Sequence, residues 1–313
     1  MNKIPNRKVV NDTLMKYAKN NSDIVVLTSD SRGSAMLGPF ASAYPDQFIE
    51  TGIAEQSIVG VSAGLASVGK IPFVASPACF LSMRSVEQIK VDVAYSNTNV
   101  KLIGISGGVS YGALGMSHHS VQDIAVMRAI PNMTVILPAD RFETEKMVEA
   151  LLDRTGPTYV RIGRNPVEDV YESTDFDYTI GKANELHSGN DITIIACGET
   201  VKIALDTALE LKTEKNISVR VLNMHTLKPL DEAAIIKAAK ETGHIITLEE
   251  HSIYGGLGGA VSEVTAKNHP VPVTVIGIPD ETVITGTSKE VFNYYGISIK
   301  NLKSTILKNI KIK

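Results

Sequence analysis

Short apolar runs rich in β-branched residues alternate along the chain with longer runs in which apolar positions recur every three or four residues. The runs Asp23–Thr28, Ile71–Ser76, Val100–Ser106, Met133–Pro138 and Thr158–Ile162 predict strands. Between them, Val9–Lys19, Ser85–Tyr95 and Arg141–Leu152 predict amphipathic helices. Asp140 ahead of the last helix, with Glu143 three residues on, has the spacing of a capping box. Strand–helix alternation of this kind implies an α/β fold with a mostly parallel sheet flanked by helices. The pattern breaks at Pro166–Tyr178, an acidic stretch without periodicity that reads as a linker. It resumes with Ile192–Cys197, Val219–Leu222, Ile245–Leu248 and Val273–Ile278 as strands, and Val201–Thr213 and Asp231–Thr242 as helices. The expectation is therefore two α/β domains, 1–168 and 189–313, joined by a linker over 169–188. No internal repeat or low-complexity segment interrupts them.

Composition narrows the function classes. At 313 residues the chain can fill two cores, and 43% apolar with 21% charged residues is ordinary for a globular protein. A net charge of −3 with no basic stripe argues against nucleic-acid binding. Lys308, Lys311 and Lys313 read as a solvated tail. Cys79 and Cys197 stand alone, without a CxxC pair, which suits a reducing cytoplasm and no disulfide scaffold or thiolate zinc site. The amino-terminal residues Met1–Pro5 lack the apolar stretch of a signal peptide, and no run of about 18 apolar residues suggests a membrane span. A cytoplasmic protein is expected.

Four segments could carry chemistry. Strand-like Phe48–Glu50 runs through Gly52 into a helix starting near Glu55, with Gly60 and Gly64 four apart on it. Glycines inside a helix cost about 1 kcal/mol each relative to alanine, so close approach by another element is expected there. Glu55 itself reads either as a charge favoured by the helix dipole on a surface helix or as a functional carboxylate. Next, glycines at 104, 107, 108, 112 and 115 follow a buried strand and lead to His118 and His119. This is either a ligand loop at the carboxyl end of a parallel strand or a flexible turn. Adjacent histidines point to different sides and make a poor metal chelate. Arg161 and Arg164 end an apolar strand, where Arg164 either forks onto a phosphate or forms a structural ion pair. Finally, Glu249–Ala260 lacks GxGxxG spacing and reads as a tight strand-to-helix connection.

Taken in order, these segments resemble the thiamine-diphosphate transketolase family over nearly the whole chain: a pyrimidine-binding domain, then the C-terminal domain. Gly52-Ile-Ala-Glu-Gln56 is similar to the family's glutamate motif, which implies that Glu55 contacts the cofactor's aminopyrimidine. Pro72-Phe-Val-Ala-Ser-Pro-Ala-Cys-Phe80-Leu resembles the segment whose phenylalanine stacks on that ring, a role that falls on Phe80. Gly115-Met-Ser-His118-His resembles the stretch whose histidine faces substrate, so Glu55 and His118 are the catalytic candidates. The resemblance implies that Arg7, Ser34 and Arg164 hold the sugar phosphate, with His118 also touching substrate, and that Asp30 lies near the cofactor. Thr226–Asp231 and Glu250-His251…Gly255–Gly258 look like signatures of the second domain.

Two departures bear on specificity: Ser106 stands where transketolases usually have a histidine, and Leu114 where they have an aspartate. The Gly-Asp-Gly motif for magnesium and diphosphate occurs nowhere in the sequence. The resemblance therefore implies that thiamine diphosphate and Mg2+ are held mainly by an amino-terminal transketolase subunit, in an α2β2 complex, with no metal ligand in this chain. The expected activity is transfer of a two-carbon ketol unit from a ketose phosphate to an aldose phosphate. Three alternatives share the architecture: a 1-deoxyxylulose-5-phosphate synthase, the β subunit of a 2-oxo-acid dehydrogenase, and a non-catalytic stabilising subunit.

Overall fold

The computed structural model describes residues 4–310; residues 1–3 and 311–313, the tail lysines Lys311 and Lys313 among them, lie outside the described residues. Six strands form in the first half: β1 (Ile24–Thr28), β2 (Phe48–Glu50), β3 (Ile71–Pro77), β4 (Lys101–Ile105), β5 (Thr134–Ile136) and β6 (Thr158–Arg161). The second half adds β7 (Asn184–His187), β8 (Ile192–Ala196), β9 (Val219–Asn223), β10 (Thr226–Lys228), β11 (Ile245–Ser252) and β12 (Val273–Ile278). The first sheet has the order β10-β5-β6-β4-β3-β1-β2 and the second β12-β11-β8-β9-β7. Pairing is parallel except at two edges, where β10 joins β5 and β7 joins β9 in antiparallel fashion.

The expected strands are present within a few residues. They form because runs such as Ile24–Thr28 and Ile192–Ala196 are buried along their whole length, as a sheet covered on both faces requires. The helices that matter for the site are α1 (Asn6–Ala18), α2 (Gly38–Ala43), α3 (Glu55–Ser67), α4 (Ala78–Arg84), α5 (Val86–Gln88), α6 (Asp123–Ala129) and α7 (Arg141–Asp153). In the second half lie α8 (Val201–Lys215), α9 (Glu232–Thr242), α10 (Leu257–Asn268), α11 (Ser288–Tyr294) and α12 (Ile299–Asn309). Asp140 caps α7 as expected, accepting from Glu143 N–H at 2.9 Å. The return bond goes one residue further back, from Ala139 N–H to Glu143 Oε2 at 2.6 Å.

One core joins the halves. Val135 and Leu137 of the first sheet pack in the same cluster as Met224, Leu227, Ile235 and Val261 of the second half. Outer cores under α1 and α7, and under α8 and α12, cover the remaining sheet faces.

Three expectations need amendment. The span 85–95 is a short α-helix followed by a π-helical turn, Ile89–Tyr95, rather than one regular helix. Among the described residues no element closes on the glycines of α3: a Cβ on Gly64 would meet nothing within 4 Å, and one on Gly60 only Asp92 Oδ2 at 3.8 Å. That helix face is open instead. The segment expected as a linker over 169–188 contains β7, and its earlier part is tied down. Asp140 Oδ2 accepts from Val170 N–H at 2.7 Å and Tyr171 N–H at 2.9 Å, and Tyr171 stacks on Phe176 at 3.8 Å.

Candidate functional site

Parallel pairing brings the carboxyl ends of β1, β2, β3, β4 and β6 to one edge of the first sheet, where open α/β sheets gather ligands. The residues following these ends are Asp30, Glu55, Phe80, the 106–120 loop and Arg164. Topology alone thus collects most of the expected site.

Glu55 begins α3 with a side chain only 3% exposed. Arg84, last residue of α4, donates to Glu55 Oε2 at 2.6 Å and sets its guanidinium 4.6 Å from the Phe80 ring centroid. A carboxylate enclosed in this way is not a solvated helix-end charge. Arg84 was not singled out in the sequence, although it stands four residues after Phe80 on one helix, the spacing that makes side chains neighbours.

From Phe80 a row of rings runs across the site. His118 meets Phe80 edge-on at 5.2 Å and Tyr111 at 5.4 Å. Tyr111 lies under the Arg164 guanidinium, 4.9 Å from centroid to Cζ, and its hydroxyl donates to Ser34 Oγ at 3.4 Å. Arg7, on the first turn of α1, donates through Nε to the Arg164 carbonyl at 2.9 Å and through a terminal nitrogen to the Ser34 carbonyl. Arg7, Ser34, Arg164 and His118 are thus drawn together, with Tyr111, unforeseen in the sequence, at their centre.

Charge is unbalanced here. Among the described residues neither Arg7 nor Arg164 has an acidic partner, and Arg164 Nη1 is buried without a hydrogen bond. Burial, then the neighbouring Arg164, lowers the Arg7 pKa from its usual value. Two adjacent guanidiniums with an unfilled donor suit a bidentate oxyanion. Arg161, by contrast, turns inward to Asp123 at 3.4 Å and Glu250 at 3.2 Å. Arg161 thus forms the structural ion pair, while Arg164 has no acidic partner among the described residues.

His118 Nδ1 shares a hydrogen bond with Ser117 Oγ at 3.0 Å, which leaves Nε2 for a ligand. His119 is buried instead, and burial lowers its pKa. Ser106 is buried, with a positive φ of 54° and no partner for its hydroxyl among the described residues. Leu114 stands 51% exposed on the loop. Asp30 is exposed, its N–H bound to Glu50 Oε1 at 2.7 Å. Among the described residues no contact links its side chain to Glu55 or Phe80.

Glu55, Phe80 and Arg84 together make a buried acceptor beside a half-exposed ring, a combination that fits an aminopyrimidine. Among the described residues no group of three or more His, Cys, Asp or Glu could hold a metal ion. Nor is any helix long and apolar enough to cross a membrane.

Comparison with known proteins agrees with this geometry. Residues 2–168 match the model of the transketolase pyrimidine-binding domain, and 181–302 that of the transketolase C-terminal domain. The chain is 54% identical over 310 residues to one of the subunits of the apulose-4-phosphate transketolase of Phocaeicola vulgatus, covering 99% of each. It is 38% identical to a 6-deoxy-6-sulfo-D-fructose transketolase subunit of Clostridium sp., covering 93% of this chain and 90% of that one. A solved structure described as a split gene transketolase, inactive beta4 tetramer, superposes with a TM-score of 0.90 at 37% identity, over 97% of this chain and 98% of that one. The chain matches two transketolase subunits and a split gene transketolase over nine-tenths or more of their length, and it belongs to the transketolase family of thiamine-diphosphate enzymes.

Proposed function

We propose that the chain is the pyrimidine-binding subunit of a two-subunit transketolase that moves a two-carbon ketol unit between sugars bearing a terminal anion. The observation that carries this reading is the row from buried Glu55 and Phe80, through His118 and Tyr111, to the unpaired Arg7–Arg164 couple. One end suits a pyrimidine and the other an oxyanion, with the His118 and Tyr111 rings between them. The relatives named for apulose-4-phosphate and for 6-deoxy-6-sulfo-D-fructose support the anion end, since a phosphate and a sulfo group present similar oxygens to a guanidinium.

Thiamine diphosphate, when bound, supplies a nucleophilic carbon that takes up and hands on the two-carbon unit. Glu55 would hold the pyrimidine's ring nitrogen through a shared proton, and Phe80 would carry the ring's face. Arg84 fixes the Glu55 carboxylate through Oε2 and leaves Oε1 for that contact. His118, anchored by Ser117, would exchange a proton with a substrate hydroxyl through Nε2. Arg7 and Arg164 would hold the far anion, and Ser34 its remaining oxygen.

An amino-terminal partner would bring the diphosphate and Mg2+ site, in an α2β2 assembly with a cytoplasmic setting. Exposed apolar residues along α3 and α4 support such a partner: Ile53 just before α3, Val61 on it, Val68 at its carboxyl end, and Met83 on α4. Val61 lies on the same helix as the open Gly60–Gly64 face, and exposed apolar surface marks interaction sites.

Calorimetry with thiamine diphosphate and Mg2+ tests the proposal directly. Negligible binding to this chain alone, with tight binding and ketol transfer on adding the amino-terminal subunit, is expected. Robust transfer by this chain alone would overturn it.

A further inference from the structure

The glycine-rich loop that carries Tyr111 and His118 is held from outside its own domain. We infer that the C-terminal domain is a positioning element of the site, with Glu250 as the residue that sets the loop's shape; this rests on the function proposed above.

Glu250, on β11, accepts the Val109 N–H on Oε1 at 2.7 Å. Its Oε2 faces Arg161 at 3.2 Å, and Arg161 donates as well to the Glu250 carbonyl at 2.7 Å. The loop runs directly across this pair. A Cβ on Gly108 would overlap the Glu250 carboxylate, and one on Gly107 the Arg161 side chain. Glycine is needed at these positions because a buried ion pair occupies the space.

The two ends of the loop are fastened to each other, Gly108 and Ser120 exchanging bonds of 3.1 and 2.8 Å. Ser252, again from the C-terminal domain, donates to the Val121 carbonyl at 2.8 Å. At the tip, Val283 N–H donates to Met116 Sδ at 3.3 Å. A Cβ on Gly115 would come within 2.8 Å of Thr285 Oγ1. Three separate points of the second domain thus grip one loop of the first.

A buried ion pair is weak evidence of stabilisation, because desolvation offsets its attraction. Geometry is the better account of its presence. Among the described residues Glu250 bonds to Val109 and Arg161 and to none of Glu55, Phe80 or Arg84, so it acts through Val109 on where Tyr111 and His118 stand. The two ends of the site can then be separated experimentally.

Two variants, assayed in complex with the amino-terminal subunit, address the same contact from opposite sides. Glu250→Gln keeps the volume and removes the charge facing Arg161. Gly108→Ala pushes on the carboxylate and leaves the charges in place, and it carries the test if the first variant folds poorly. For both, kcat/KM for ketol transfer should fall about tenfold to a hundredfold, the scale of a misplaced reacting group. Exchange of the cofactor's thiazolium proton into deuterated water should match wild type. By mass spectrometry, amide exchange of 107–121 should speed up while that of 55–67 does not. Proton exchange that falls in step with transfer, or unaltered protection of 107–121, would overturn the inference. Absence of proton exchange in the wild-type complex would instead count against the proposed function, and the loop's amide exchange would still decide the role of Glu250.

Discussion

At the carboxyl end of the first sheet, Phe80, His118, Arg7 and Arg164 border solvent, and Glu55 lies just beneath them. At the carboxyl end of the second sheet, Glu249, Glu250 and His251 are buried, and Glu199 is half-buried with Oε1 out of solvent. Both sheets deliver acids, histidines and arginine partners to the same topological position. The difference is that the first domain covers these residues of the second, whereas no element among the described residues covers Phe80, His118 and Arg164. Charges left uncovered are available to a ligand, and charges that are covered become internal fastenings. Glu249 illustrates the second case: its carboxylate accepts Leu257 N–H at 2.7 Å and Gly258 N–H at 2.8 Å, capping α10. The glycines after it make that strand-to-helix turn, as the sequence suggested.

The contrast is tested most strongly at Glu55. Glu55→Gln keeps the size of the side chain but cannot share the proton expected of it. The assembled enzyme should lose roughly 10²–10⁴ in kcat, and NMR of thiazolium-proton exchange should show a parallel fall. Retention of wild-type exchange would return Glu55 to the class of structural charges.

A smaller effect is expected at the anion end. Arg164→Ala should raise KM for a phosphorylated aldose by about one to two orders of magnitude, since charge-assisted bonds contribute about 1.5–3 kcal/mol. An unphosphorylated acceptor should scarcely respond. Equal losses on both would remove Arg164 from substrate binding.

The smallest effect concerns the covered charges. Burial, and then the neighbouring Glu250, raises Glu199 to about 8 from an ordinary 4.5. Between those values the folded state holds a proton that the unfolded state has released. The resulting stability is complete below about 4.5 and is lost as pH rises through about 8. Burial raises Glu249 to about 7, with the same sign. His251, lowered by burial to about 4 from 6.5, acts oppositely but only below 6.5. Lys101, lowered by burial to about 7 from 10.5, also acts oppositely above about pH 7. The test is therefore comparative: from pH 6.5 to 8 the melting temperature of Glu199→Gln should drift upward relative to wild type by a few degrees. An unchanged slope would mean that Glu199 is solvated like a surface acid.

The long buried strands were legible because five consecutive apolar or β-branched residues leave few other structures open. Strands β7 and β10 were not, being short and at sheet edges, where polar residues such as Asn184 and Lys228 carry no periodicity. Glu55, Phe80, His118, Arg7, Ser34 and Arg164 were singled out by family resemblance in sequence order, and the sheet explains why such distant residues lie at one edge. Tyr111 and Arg84 escaped notice because their role depends on contacts across 53 and 29 residues of chain, Tyr111 with Arg164 and Arg84 with Glu55. The Gly60–Gly64 spacing led to an expectation of close approach that no element among the described residues fulfils.

Strand β10 has a consequence for how such proteins can be recombined. It comes from the second half of the chain, yet it closes the β5 edge of the first sheet, with Thr226 opposite Ile136. A cut within 169–188 would leave β5 with unpaired backbone groups, a template for unwanted strand addition. Exchanging the C-terminal half between relatives would likewise carry a foreign edge strand into the first sheet, along with a foreign grip on the substrate loop. The two domains are separate as folding patterns but form a single inheritable block.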